Sequence, residues 1–167
     1  MKIVFFETNS EDQQNLLNIV NNNPDFSSVF TENLLTEKTV NLAKDADVVS
    51  VFIGSKITKS LLDLLPNTKL ITTRSTGFDH IDLSSAKEKN IAVCNVPAYG
   101  SRTVAEFTFS LILGLSRKSF LAYRQVKDNH NFNIEHFEGF NLQGKTLGVI
   151  GTGRIGQEVI KIARGFE

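Results

Sequence analysis

Residues 146–157 read TLGVIGTGRIGQ, and no other stretch constrains the fold of this chain as tightly. The apolar run Leu147-Gly148-Val149-Ile150 predicts a strand, and Gln157 to Ala163 predicts a helix. Between them, Gly151-Thr152-Gly153-Arg154-Ile155-Gly156 matches G-x-G-x-x-G in the strand-turn-helix setting that gives this motif its meaning. The first glycine permits a tight turn, the second lets backbone approach a pyrophosphate, and the third lets helix pack closely on strand. N–H groups at the helix start then face an anion. A glycine-rich turn with no ligand would also fit these residues. The acid that would hold the ribose hydroxyls, about 20 residues further on, falls past Glu167, so NAD and NADP are not distinguished.

Upstream, strand and helix signals alternate. Ile3 to Phe6 reads as a buried strand, and Ser10 with Gln13 offers a capping box for a helix carrying Leu16, Leu17 and Val20. Asn21-Asn22-Asn23-Pro24 ends it. Residues 27–30 suggest a short strand, residues 32–43 a helix, and residues 48–53 a buried β-branched strand. A leucine-rich helix stops at Pro66, Lys69 to Thr73 forms a strand, Asp82 caps a helix ending at Asn90, and Ile91 to Cys94 forms a strand. Continuous apolar strands separated by helices predict an α/β fold with a parallel sheet covered on both faces. After Pro97 the pattern changes. Thr103-Val104-Ala105-Glu106 fits a capping box opening one long helix to about Val126, apolar nearly all round and expected to be buried on more than one side. Residues 128–144 are polar and irregular. This divides the chain into domains at 1–100 and 101–167.

Composition excludes several function classes. Eighteen basic and eighteen acidic residues cancel, with no Lys/Arg cluster, which gives no electrostatic case for nucleic acid or an anionic membrane. The single Cys94 excludes an intrachain disulfide and a cysteine-rich zinc site. No metal-ligand spacing stands out. The longest apolar segment, residues 104–115, carries Glu106 and falls short of the ~20 residues that span a bilayer, so a cytoplasmic protein is expected.

Two further stretches carry candidate chemistry. In RSTGFDHID, residues 74–82, Ser75, Thr76 and Gly77 follow a strand end and present successive N–H groups that suit a small carboxylate. The same residues also fit a turn in which Gly77 tolerates positive φ while Asp79 and Asp82 cap. In NVPAYGSRTVAEF, residues 95–107, Tyr99 sits where a cleft between domains would form, yet it fits a packing role as well. Arg102 suits either a phosphate or solvent. His130 and His136 lie in the polar linker with no carboxylate orienter and read as surface residues, and His80 follows the anion loop.

The stretches STGFDHIDL, NVPAYGSRTVAEF and LQGKTLGVIGTGRIGQ stand in the order and spacing of the D-isomer-specific 2-hydroxyacid dehydrogenases. With VSVF and VPAY, the chain most resembles the D-lactate dehydrogenase branch. That resemblance implies a flavodoxin-like substrate domain, lacking its C-terminal return, followed by the first βα unit of a Rossmann domain. It implies that Ser75, Thr76 and Gly77 hold a substrate carboxylate by backbone and that Tyr99 lines the substrate pocket. Thr103 would lie near the nicotinamide of NAD, and the turn Gly151, Thr152, Gly153, Arg154, Ile155 and Gly156 would carry the pyrophosphate. The substrate would be a small 2-oxo or 2-hydroxy acid, with pyruvate and D-lactate favoured, and the full-length protein would be a homodimer. Two positions depart from the family: His80 stands where asparagine is usual, and Phe107 where histidine is frequent. The family's catalytic arginine, glutamate and histidine lie beyond Glu167, so these 167 residues are expected to be inactive alone. The other reading is a non-enzymatic, nucleotide-sensing module of the dehydrogenase-like corepressor type.

Overall fold

The computed structural model describes residues 1–167 and divides into two compact units, Met1–Pro97 and Ala98–Glu167. In the first, strands β1 (Lys2–Phe5), β2 (Ser27–Phe30), β3 (Val48–Val51), β4 (Leu70–Thr73) and β5 (Ala92–Cys94) pair in the order β2-β1-β3-β4-β5. Every pairing is parallel, for instance Val4 with Val49 and Val49 with Ile71. This is the flavodoxin-like order, which reverses direction between β1 and β3. A parallel sheet is buried on both faces, which is why its strands are apolar without alternation. Val4, Val49, Val51 and Ile71 are fully buried, joined by Phe6, Leu35, Ile57, Leu62 and Leu65 from the connections.

Helices α1 (Ser10–Asn21), α2 (Lys59–Asp63) and α3 (Leu83–Glu88) connect the strands. The cap of α1 lies one residue before the expected Ser10. Asn9 accepts the Asp12 N–H at 2.8 Å while the Asp12 carboxylate accepts the Asn9 N–H, completing the box from the neighbouring pair. The helix expected over 32–43 is instead a loop with a 3-10 turn at Val40–Leu42. There the Thr39 hydroxyl accepts the Thr36 N–H at 2.9 Å and donates to the Leu34 carbonyl at 2.6 Å, so side-chain bonds displace helical ones. Strand β3 stops at Val51 rather than Ile53 because the Phe52 N–H turns to the Glu7 carboxylate.

In the second unit, the expected single helix is two: α4 (Ser101–Ser116) and α5 (Ser119–Asn129). Lys118 adopts a left-handed φ of 53° at the break, and the Phe120 ring folds back against Gly114, where a Cβ would collide with it. The Thr103–Glu106 capping box does not form. Helix α4 starts three residues earlier, after Gly100, and Glu106 pairs with Arg102 at 2.9 Å. Nor is α4 buried on several sides. Ala105, Phe109, Gly114 and Ser116 are buried, but Phe107, Leu111 and Leu115 are exposed, because α6 (Arg154–Ala163), the 3-10 turn Arg164–Phe166 and the folded-back Phe120 leave them uncovered. Phe109 stacks on Phe166 with ring centroids 5.3 Å apart. Residues 147–150 run into the glycine turn as expected but form no strand, since no segment of the chain lies beside them to complete a ladder; Ile150 is fully exposed. No helix is long and apolar enough to cross a membrane.

Candidate functional site

Strand β4 delivers Arg74 to Gly77 to the carboxyl edge of the sheet, where open α/β sheets bind ligands. The three carbonyls of the loop are all tied back to the protein. Ser75 O accepts the Val96 N–H at 3.0 Å, Thr76 O accepts the Asn95 side chain at 2.8 Å, and Gly77 O accepts the Ser75 hydroxyl at 2.7 Å. The Thr76 hydroxyl donates to Val96 O at 2.9 Å. The N–H groups of Ser75, Thr76 and Gly77 have no acceptor in the chain. Restrained carbonyls beside N–H groups without an acceptor are what a backbone needs to receive an anion. Gly77 does not adopt positive φ, and a Cβ there would meet only the Asp79 carboxylate, at 3.8 Å. Its lack of a side chain therefore leaves the backbone open to close approach.

Beneath the loop, hydroxyl protons fix a direction. Each hydroxyl has one proton to give. Ser75 gives its own to Gly77 O, so the 2.6 Å bond between Thr73 and Ser75 runs from Thr73, and the 3.1 Å bond between Thr73 and His80 runs from Nε2–H. His80 therefore stands behind the loop, locking it through buried Thr73 and Ser75. Asp82 caps α3 through the Ser84 hydroxyl and the Ser85 N–H and hydroxyl, which hold its carboxyl down at about 2. Arg74 was not singled out by its place in the sequence. It donates to Phe6 O and Glu7 O at 2.8 Å and to the Ser50 hydroxyl at 3.0 Å, and burial pushes its guanidinium pKa down. Glu7 carries no stronger sequence signal, since an acid after an apolar strand reads as a solvated turn. The only sequence signal for either is a charge placed directly at a strand's carboxyl end.

In the second unit, Gly151 takes φ +88° at the turn, and a Cβ on Gly156 would collide with the Gly151 carbonyl. Gly153 is the N-cap of α6, with open space where its Cβ would be. The Gln157 N–H closes on Gly153 O at 2.9 Å, leaving the N–H groups of Arg154, Ile155 and Gly156 directed out of the helix start. Thr152, Arg154 and Ile155 are exposed. Thr103 and Tyr99 are both exposed, and Tyr99 makes no side-chain hydrogen bond. Arg102 is held by Glu106 at 2.9 Å and Glu158 at 3.4 Å, so it is paired rather than free for a phosphate. His130 and His136 are exposed, without a side-chain partner. An apolar groove lined by Phe109, Ile112, Phe140, Leu147, Val149 and Phe166 includes no residue of the glycine turn and bears no catalytic constellation.

The sequence model of the D-isomer specific 2-hydroxyacid dehydrogenase catalytic domain matches residues 3–163. A 2-hydroxyacid dehydrogenase homolog of Haemophilus influenzae is 38% identical over 168 residues, covering 99% of this chain and 50% of that protein. The D-lactate dehydrogenase of Escherichia coli is 37% identical with the same coverages, 99% and 50%. The solved structure of an Aquifex aeolicus D-lactate dehydrogenase complexed with NAD and lactic acid superposes with a TM-score of 0.87 at 36% identity, over 98% of this chain and 48% of that one. The chain spans about half the length of the curated relatives it matches. On fold, motif order and sequence together, it belongs to the D-isomer-specific 2-hydroxyacid dehydrogenase family.

Proposed function

We propose that this chain carries the substrate-carboxylate loop and the cofactor-pyrophosphate turn of an NAD-dependent D-2-hydroxyacid dehydrogenase acting on a small 2-oxo or 2-hydroxy acid, pyruvate and D-lactate first. The observation that carries the reading is the loop Ser75–Gly77, with every carbonyl hydrogen-bonded and every N–H left without an acceptor in the chain. Three N–H donors at a strand end suit one carboxylate and supply no bond-making group. They bind and orient the acid.

In the second unit, the outward N–H groups at the start of α6 suit a pyrophosphate, with Gly151, Thr152, Gly153, Arg154, Ile155 and Gly156 shaping the approach. NAD, when bound, supplies the hydride chemistry. Thr103 serves the nicotinamide side and Tyr99 the substrate side, and assembly of the protein as a homodimer belongs to the same reading. None of the three histidines has a carboxylate orienter, as a proton-transferring histidine requires: His80 is committed to Thr73, and His130 and His136 are unpartnered. Residues 1–167 therefore bind without turning over.

The experiment is amide NMR on the nitrogen-15-labelled chain. Pyruvate is expected to shift the Ser75, Thr76 and Gly77 resonances, and NADH those of residues 152–156. Pyruvate shifts confined to other residues would contradict the proposal. So would pyruvate-dependent NADH oxidation by the purified chain, which would refute the claim that it lacks the acid/base.

A further inference from the structure

The sheet reverses its strand order between β1 and β3, where a flavodoxin-like sheet opens its crevice. In this chain one side chain bridges the segments that flank that place. Glu7 directly follows Phe6 and adopts a left-handed φ of 57°, costly for a residue with a Cβ. Its carboxylate accepts the Phe52 N–H at 3.0 Å, the Gly54 N–H at 2.8 Å, the Ser55 N–H at 3.1 Å and a short bond from the Ser55 hydroxyl. Ser55 in turn accepts the Leu35 N–H at 2.9 Å, and the Glu7 N–H donates to Asn33 O at 3.1 Å. The Glu7 carbonyl receives the Arg74 guanidinium at 2.8 Å, immediately before the Ser75–Gly77 loop. From its place after β1, one residue thus touches the segments following β2, β3 and β4.

Gly54 records the same demand from the other side. A Cβ there would stand 2.7 Å from the Glu7 carboxylate and 2.7 Å from Leu34, so a side chain at position 54 would have to move the acid or Leu34 aside.

We propose that Glu7 is a positioning residue. It bridges the segments at the switch point and, through the loop 52–55 and Arg74, holds Ser75–Gly77 in the geometry that leaves their N–H groups free of any acceptor in the chain. The ligand half of this inference rests on the proposed function; the structural half does not. Glu7 touches no substrate in this reading and acts through Arg74 and the loop bonds. A carboxylate is required because it accepts four donors and gives none, whereas glutamine sets its own N–H₂ against one of them.

The test compares amide hydrogen exchange in the native chain, Glu7→Gln and Glu7→Gly. Glycine tolerates the left-handed φ but removes the carboxylate, which separates backbone strain from hydrogen bonding. In both variants, Phe52 and Ser55 are expected to lose protection at least roughly tenfold relative to Val49 and Ile71, the scale of a lost charge-assisted bond. Arg74 and Val96, whose N–H groups close on Val51 O and Ser75 O, should lose protection with them. Unchanged exchange at Arg74 and Val96 would overturn the proposal and leave Glu7 a cap for its own loop. Should the Glu7 variants fail to fold, Gly54→Ala displaces the carboxylate from outside and is expected to give the same pattern more weakly; protection retained at Arg74 and Val96 there also overturns it. A merely structural role lowers Tm and leaves pyruvate Kd of the folded chain unchanged, whereas positioning weakens Kd several-fold. If native chain shows no pyruvate shift at Ser75–Gly77, the proposed function fails, and the exchange comparison alone decides the role of Glu7.

Discussion

The unit Met1–Pro97 encloses a core of sixteen buried apolar residues, while the unit Ala98–Glu167 has three. Both contain the same kind of raw material. Residues 48–51 read VVSV and are buried at every position, whereas residues 147–150 read LGVI and end in a fully exposed Ile150. The difference is partnership. Strand β3 has β1 on one side and β4 on the other, but the segment before the glycine turn has no neighbouring strand in this chain. Apolar character drives burial, and only a completed ladder makes a strand. The comparison extends to the two sites. The Ser75–Gly77 loop is braced by side chains from behind, and the glycine turn is shaped almost wholly by its own backbone.

The largest effect that would sharpen this contrast is in the two cores. Ile71→Ala, at a fully buried position, is expected to cost about 2–5 kcal/mol. Leu115→Ala on α4, where the side chain is 75% exposed, is expected to change stability by less than about 0.5 kcal/mol. Urea denaturation followed by circular dichroism measures both, and equal costs would break the comparison. Next come the glycines of the turn. Gly156→Ala forces a Cβ into the Gly151 carbonyl and is expected to destabilise the second unit by about 1–3 kcal/mol. Gly153→Ala meets open space and should leave the fold intact while weakening NADH binding. Thermal melts paired with NADH titration separate them; similar melting losses would show that the backbone alone does not shape this turn.

Ser75→Ala tests the bracing of the first loop. It strips the buried Thr73 hydroxyl of its acceptor and Gly77 O of its donor, for an expected loss of about 1–3 kcal/mol. Pyruvate binding should weaken as the loop loosens, and undiminished pyruvate shifts at Thr76 and Gly77 would argue that the bracing is immaterial. The smallest effect is the pH response of α3. Asp82 has a folded pKa of about 2, below its unfolded value, so its cap contributes fully above the unfolded pKa, near 4. That contribution is lost as pH falls through about 2. The Ser85 amide resonance should follow that titration, and Asp82→Asn should abolish it. A midpoint near 4 in the native chain would contradict the capping geometry.

Much of this architecture was legible in the residues themselves. The β-branched run at 48–51 and the cap at Asp82 each carry a local cause that operates in the fold as it does in the sequence. The leucine-rich helix ends at Asp63, before the expected Leu64 and Leu65, since the residue ahead of Pro66 is pushed out of the helical region. Where expectation and structure part, the cause is tertiary or a competing local bond. Thr39 redirects the 32–43 segment through its hydroxyl, and the Phe120 ring seated on Gly114 breaks the long helix. Residues 75–77 were legible as a loop of free N–H groups because Ser-Thr-Gly follows a strand. That two of their carbonyls are restrained by Asn95 and Val96 needed the fold, because those partners reach the loop only across β4 and β5. Glu7 is the extreme case, since its donors lie more than forty residues away.

The central claim is that Ser75, Thr76 and Gly77 form a cradle for a carboxylate. The most direct measurement is an amide NMR titration of the labelled chain with pyruvate and, in parallel, with its uncharged methyl ester. The account predicts saturable shifts at those three amides with pyruvate and none with the ester at the same concentration. Equal shifts with both, or shifts with neither, would contradict it.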